Sequence, residues 1–183
     1  TILPTANGCS GVAIPVTITV NPAPTFSISN SAPVICTGSQ ANISLNTPTL
    51  NGIITLTNVN YNGVSGTLTA PVNYTDGQQI TEVLTNATNA PITVVYTFSV
   101  AANGCTNPTI QQASVVVNPA PAMSIVNTTT EICSNSPVSI TLNSPTSGAI
   151  ITLTGVTYNG VIGTLTAPKT YTTGSIISET LLN

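Results

Sequence analysis

The chain has 183 residues, of which 41% are hydrophobic and only 3% are charged, whereas soluble globular domains carry about 25% charged residues. Its single cation is Lys169, its four anions are Asp76, Glu82, Glu131 and Glu179, and its formal net charge is −3. Nucleic-acid binding relies on Lys and Arg at the phosphates, and no run of about 18 apolar residues is present. The composition therefore excludes a nucleic-acid partner and predicts no transmembrane segment.

An internal repeat sets the domain organisation. Residues 21–86 align with residues 118–183 without a gap, at a shift of 97 positions (118 − 21), with 38 identities in 66 positions. The tetrapeptide Ala-Asn-Gly-Cys at 6–9 recurs at 102–105. We expect three parts: the C-terminal strands of a truncated preceding repeat (1–20), a complete repeat of about 97 residues (21–117, the first unit), and the N-terminal two thirds of a following repeat (118–183, the second unit).

The first unit alternates short β-prone segments with turn signals. Seven strands are predicted, at 25–29, 41–46, 53–59, 64–69, 80–84, 93–100 and 113–117. Asn62-Gly63 predicts a type I′ turn, as does Asn159-Gly160 in the second unit, and Asp76-Gly77 predicts another turn. No segment shows a helical apolar period.

Alternation along the sixth predicted strand indicates which side chains are buried. Val94, Tyr96, Phe98 and Val100 are expected to face a core, with the intervening residues outside. Short Val-, Ile- and Thr-rich strands at this spacing predict an all-β fold of tandem immunoglobulin-like (PKD-like) β-sandwich repeats.

The units are joined by Asn-Pro-Ala-Pro linkers at 21–24 and 118–121. Proline fixes φ and cannot donate a ladder hydrogen bond, and two prolines in four residues favour an extended, semi-rigid connection. We therefore expect consecutive units to lie end to end, with the neighbouring repeats of the same chain as their first partners.

Each complete unit carries two cysteines. In the first unit these are Cys36 and Cys105, 69 positions apart (105 − 36); we expect both at the same end of the sandwich, joined by a disulfide. Cys9 and Cys133 would then pair with cysteines outside this chain. A disulfide would indicate an oxidising compartment. Free structural thiols are the alternative, and the absence of His and of close Cys pairs speaks against zinc.

Few residues offer other chemistry. Glu82 and Glu179 occupy the same position in the two units; we interpret them as solvated strand residues that discourage edge pairing, with a weak calcium ligand or partner contact as the alternative. Tyr61 and Tyr158 are candidate surface contacts for sugars, against the alternative that they fill an end of the sandwich. No catalytic residue, metal site or cofactor is predicted.

Several motifs together resemble a known repeat family. They are the Asn-Pro-Ala-Pro linker, Ile-Cys-Ser/Thr, Leu-Thr-Asn, the strand Val-Val-Tyr-Thr-Phe-Ser-Val and Ala-Asn-Gly-Cys. This combination resembles the PKD-like, immunoglobulin-like repeats of giant surface proteins in Bacteroidota. The resemblance implies export by the type 9 secretion system, anchoring at the outer membrane, extracellular display and a link to gliding motility, and it brings no catalytic residues.

Three functions fit these observations. The leading hypothesis is a non-catalytic structural stalk of a cell-surface adhesin, because the units are near-identical, proline-linked and chemically inert. The second is a module that binds surface glycans or another surface. The third is a spacer in a secreted multidomain hydrolase.

Overall fold

The structure is a computed structural model that describes residues 1–183; it contains fifteen β-strands and no helix. In chain order the strands are β1 (Thr5–Ala6), β2 (Cys9–Ser10), β3 (Ser27–Asn30), β4 (Val34–Cys36), β5 (Gln40–Asn46), β6 (Ile53–Asn60), β7 (Val72–Tyr74), β8 (Gln79–Val83), β9 (Ile92–Ala102), β10 (Cys105–Asn118), β11 (Ser124–Asn127), β12 (Ser136–Asn143), β13 (Ile151–Leu153), β14 (Lys169–Tyr171) and β15 (Ser175–Leu181). No helix in the structure has the length and hydropathy needed to span a bilayer.

The first unit is a sandwich of two sheets. One sheet has the order β4-β10-β9-β6-β7 and the other has the order β3-β5-β8. Every pair is antiparallel except β4 with β10, which run parallel. The chain passes back and forth between the two facing sheets, and the resulting strand order is the immunoglobulin-like arrangement. The predicted fold class is therefore confirmed.

Period-2 alternation builds the core between the two sheets. Along β9, the side chains of Val94, Tyr96, Phe98 and Val100 are buried as predicted, and they join a cluster of 17 buried residues contributed by both sheets. The β5 strand supplies the facing layer in the same way, because its alternate residues Ala41, Ile43 and Leu45 are fully buried.

The sequence-based strand assignment is wrong in one place and incomplete in two. The predicted strand 64–69 does not form; it starts with the turn closed by Val64 N–H to Tyr61 O (2.9 Å), and its only bridge joins Ser65 to Thr85. Residues 64–69 instead belong to the connection between β6 and β7, two neighbouring strands of the five-stranded sheet, and the bridge at Ser65 ties this connection to the chain just after β8 in the other sheet. The two missed strands, β4 and β7, have three residues each, which is too short for alternation to be recognised.

The predicted turns form as expected. Asn62 and Gly63 have φ values of 51° and 97°, the positive pair that a type I′ turn requires. Asn159 and Gly160 repeat this geometry with φ values of 49° and 96°.

The chain enters and leaves the first unit at opposite ends. At the entry pole (linker residues 21–24 and the β9–β10 turn), the Asn21 side chain donates to Asn103 O at 2.9 Å. At the exit pole (residues 36–39 and Asn118), Thr37 N–H donates to Asn118 O at 2.8 Å. The 14 residues of β10 connect the two poles, which at about 3.3 Å per residue places them roughly 40 Å apart.

The second unit repeats the early strands of the first. Its strands β11, β12 and β15 form one sheet, as their counterparts β3, β5 and β8 do. Strand β13 pairs with β14, as β6 pairs with β7. Residues 118–183 contain no counterpart of β9 or β10, so the inner faces stay uncovered: Met123 is 61% exposed, whereas Phe26 at the same repeat position is 7% exposed.

Candidate functional site

A buried carboxylate on β8 organises the main polar cluster of the first unit. Glu82 is only 4% exposed. Its Oε1 accepts a hydrogen bond from the Tyr96 hydroxyl at 2.6 Å. Its Oε2 accepts from the Tyr61 hydroxyl at 2.9 Å and from the backbone N–H groups of Thr67 and Leu68 at 2.8 and 3.2 Å. Four donors therefore replace the water that this carboxylate loses on burial.

The cluster fixes the connection between β6 and β7, which contains residues 64–69. Leu68 N–H donates to the Tyr61 hydroxyl at 2.9 Å, so the backbone of this connection is bonded to both the tyrosine and the carboxylate. The Tyr61 ring lies against Gly66, where a Cβ atom would fall far inside van der Waals contact with ring carbon Cε1. Only glycine allows this approach, and the approach brings Thr67 and Leu68 within reach of Glu82.

Burial and the neighbouring carboxylate hold both tyrosines neutral. Desolvation, then the hydrogen bond to Glu82 and its negative charge, raise the pKa of Tyr61 from 10.0 to about 12. The same causes, in the same order, raise the pKa of Tyr96 far above its usual range. The two hydroxyls therefore remain hydrogen-bond donors to Glu82 throughout the neutral and mildly alkaline range.

The free energy of unfolding is expected to fall as the pH rises from 10 towards 12. The folded-state pKa of Tyr61 lies above the unfolded value, so its stabilising contribution is complete below pH 10 and is lost as the pH approaches 12. Urea unfolding followed by circular dichroism at pH 8 to 12, with tyrosinate absorbance at 295 nm, measures this loss. The Tyr61→Phe variant should show a shallower decline; an unchanged slope would contradict the assignment.

The second unit contains a copy of the cluster. The Tyr158 hydroxyl donates to Glu179 Oε2 at 2.8 Å, and Thr164 N–H donates to the same oxygen at 2.8 Å. Burial acts to raise the pKa of Glu179, but hydrogen bonds from Thr164 N–H, the Tyr158 hydroxyl and Leu165 N–H outweigh it, and the pKa is lowered. The tyrosine and the backbone of the connection thus bond the carboxylate in both units.

The structure corrects the sequence-based interpretation of these residues. Glu82 is not a solvated edge residue. Its side chain points inward, as do those of Ile80 two residues before it and Leu84 two residues after it, and all three are buried. The hydroxyls of Tyr61 and Tyr158 are bonded to internal carboxylates. They therefore serve the fold instead of being free for contacts with sugars, and both tyrosines are half-buried.

Asp76 has a structural role that sequence reasoning missed. Its Oδ1 accepts Thr47 N–H at 2.6 Å, which joins two turns at the entry pole. At the same repeat position, the Thr173 hydroxyl accepts Ser144 N–H at 2.9 Å. The two side chains differ in charge but share an acceptor oxygen, which comparison of residue types alone does not reveal. No group of three or more His, Cys, Asp or Glu residues is arranged to hold a metal ion.

The structure contradicts a disulfide between Cys36 and Cys105. Cys36 is aligned with Asn118 at one end of β10, whereas Cys105 begins that strand at the other end. The two cysteines therefore lie at opposite poles, roughly 40 Å apart by strand length, and a disulfide requires Cα atoms within about 7 Å. The prediction failed because it overlooked β4, whose parallel pairing carries Cys36 to the exit pole. All four cysteines are free thiols in the structure.

Comparison with known proteins leaves the family open. No family model matches the sequence, and no curated protein matches it. Among solved structures, the Escherichia coli adhesin FdeC is similar over 98% of this chain, at 16% identity and a TM-score of 0.46; the chain spans 64% of the length of that FdeC chain. The YadV chaperone is similar over 84% of both chains, at 11% identity and a TM-score of 0.36. Similarity this distant does not assign the chain to either family.

Proposed function

We propose that this chain is a non-catalytic segment of the stalk of a large, repetitive cell-surface adhesin. In this proposal the immunoglobulin-like units follow one another in a row and hold a more distant adhesive part away from the cell. The resemblance of the linker, strand and cysteine motifs to Bacteroidota surface repeats, including those of the gliding-motility adhesin SprB, supports export by the type 9 secretion system, outer-membrane anchoring and a role in gliding.

The observation that carries the proposal is the position of the two linkers. Asn21 lies at the entry pole and Asn118 at the exit pole of the same sandwich. Because the linker sequence repeats at both positions, each further unit starts where the previous one ends, on the far side of its long strand. A chain built by this rule extends by one sandwich length per unit instead of folding back.

The junction between the two units is also held by contacts outside the linker. Ser147 N–H in the second unit donates to Asn89 O at the exit pole of the first unit, at 2.8 Å. The Asn89 loop is itself fixed, because the buried Asn86 side chain donates to Ala90 O and Val117 O at 2.8 Å each. These bonds limit bending at the junction and favour a stiff array.

The internal use of the tyrosines favours a stalk over a glycan-binding module. Tyr61, which was the best candidate for sugar stacking, has its hydroxyl bonded to Glu82 and its ring against Gly66. The polar groups of this cluster serve the fold, which is what a spacer unit requires.

Small-angle X-ray scattering on lengthened chains tests the proposal. One, two or three extra copies of residues 21–117 are inserted before Asn118, which keeps the repeat register. We expect the maximum dimension to grow by about 40 Å per added unit, from the rise of a β-strand. A matched series with Pro22, Pro24 and their linker counterparts changed to Gly should be more bent. Growth with the roughly 0.38 power of chain length that compact proteins follow would overturn the proposal.

A further inference from the structure

We propose that the cysteines of this repeat form disulfides between consecutive units, not within one. The exit-pole cysteine of one unit, Cys36 in the first unit, would bond to the entry-pole cysteine of the next unit, the counterpart of Cys105. This inference rests on the proposed end-to-end array, and it replaces the intra-unit pairing that the structure contradicts.

The entry-pole cysteine lies against the linker that leads into its own unit. Cys105 Sγ is 3.9 Å from Asn21 O. Two residues earlier on the same turn, Asn103 O accepts the Asn21 side-chain amide at 2.9 Å. The thiol and the turn therefore contact the linker asparagine through both its backbone and its side chain.

The exit-pole cysteine lies against the linker that leads out of its unit. Cys36 on β4 is aligned with Asn118 on β10, and Thr37 N–H donates to Asn118 O at 2.8 Å. The preceding pair, Ile35 and Val117, is buried. Because side chains alternate along strands and aligned residues share a face, the Cys36 and Asn118 side chains both point outward, on the same side of the sheet.

Because the linker repeats, the asparagine beside the exit-pole cysteine of one unit is also the asparagine beside the entry-pole cysteine of the next unit. Asn118 is the counterpart of Asn21, 97 positions later. In the next complete unit, the counterpart of Cys105 would therefore lie against Asn118 O, as Cys105 does against Asn21 O. Neighbouring strands are about 4.8 Å apart, so Cys36 and this next-unit cysteine would both lie beside Asn118, and a disulfide spans about 4.4–6.8 Å between Cα atoms.

The same register explains why no two cysteines of this chain are partners. The partner of Cys36 would lie 97 positions after Cys105, beyond Asn183, and the partner of Cys105 would lie 97 positions before Cys36, ahead of Thr1. Cys9 is the entry-pole cysteine of the preceding repeat and would bond at the junction before that repeat. Cys133 is the exit-pole cysteine of the second unit and would bond at the junction after it. Four free thiols are what this pairing requires of these 183 residues.

Bond formation is a two-electron oxidation of two thiols. Each sulfur loses a proton, the S–S bond forms, and the two electrons reduce the disulfide of an external thiol–disulfide oxidoreductase or of oxidised glutathione to two thiols. The product is a covalent clamp across each junction, beside the linker. It would keep a junction closed under tension even when the hydrogen bonds around Asn118 break.

The test lengthens the chain so that one junction is complete. A second copy of residues 87–117 is appended after Asn183, which completes the second unit and adds a second copy of Cys105. After oxidation with a glutathione redox buffer, we expect the thiol count to fall from five to three. Peptide mapping without reduction should find Cys36 linked to the second copy of Cys105, with Cys9, the first Cys105 and Cys133 free.

Matched variants separate this pairing from random oxidation. Cys36→Ser should abolish the linkage and leave the far-UV circular dichroism spectrum unchanged, whereas Cys133→Ser should leave the linkage intact. A Cys36 linkage to the first Cys105, mixed pairings, or five persistent thiols would overturn the inference. Scattering on the lengthened chain tells the proposals apart: if the chain is a rod but the linkage fails to form on oxidation, only the clamp is refuted, whereas a compact particle refutes the array as well.

Discussion

Glu82→Ala is expected to lower the free energy of unfolding by about 3–5 kcal/mol. The substitution removes the acceptor of the buried Tyr96 hydroxyl and of Thr67 N–H, while the Tyr61 hydroxyl and Leu68 N–H keep only their bonds within the connection. Each unsatisfied buried group costs about 1–3 kcal/mol. The partial entry of water into the space left by the side chain offsets part of that sum. Urea denaturation of the 183-residue chain, followed by circular dichroism, measures the change.

Two matched variants make the result specific. Glu131→Ala removes a carboxylate that is exposed, so it should change stability by no more than about 0.5 kcal/mol. Glu82→Gln keeps the shape of the side chain but turns one acceptor oxygen into an NH2 donor that faces other donors. Its loss in the free energy of unfolding should lie between those of Glu131→Ala and Glu82→Ala. A Glu82→Ala chain as stable as Glu131→Ala would show that the cluster contributes nothing to the fold.

Gly66→Ala is expected to destabilise the first unit by roughly 2–3 kcal/mol, in the upper part of the range for overpacked sites. The added methyl group would overlap the Tyr61 ring. Because the ring cannot move without losing the hydrogen bonds from Tyr61 and Leu68, steric strain and lost bonding add together. Thermal unfolding followed by circular dichroism gives the size of the effect.

The control is Gly155→Ala, because a Cβ atom at Gly155 would meet no atom within 4 Å and should cost little. A double-mutant cycle adds a second check. In a Tyr61→Leu background the overlapping ring is gone, so Gly66→Ala should cost clearly less than it does alone. Equal costs in both backgrounds would show that the ring is not the source of the strain.

The site was partly readable from the sequence. The repetition of Tyr61, Gly66 and Glu82 as Tyr158, Gly163 and Glu179 marks the components of the cluster. Glu82 lies two residues from both Ile80 and Leu84, and residues two apart on a strand share a face. The alternation therefore gives the direction of the Glu82 side chain. The interpretation as a solvated residue failed because it weighed the charge of Glu82 and not its parity, and because the tyrosine donors that satisfy the carboxylate are 14 and 21 positions away.

The sequence by itself determined the repeat, its period, the long alternating strands, the type I′ turns and the all-β class. These depend on residue order and on local backbone preferences, which act over a few neighbouring positions. Only the tertiary structure decided that residues 64–69 form a connection bridged to the end of β8 and not a strand, that Glu82 is buried, and that Cys36 and Cys105 lie at opposite poles. Each of these depends on which distant strands pair, and the three-residue strand β4, too short to leave a pattern, is what places Cys36 beside the linker to the next unit.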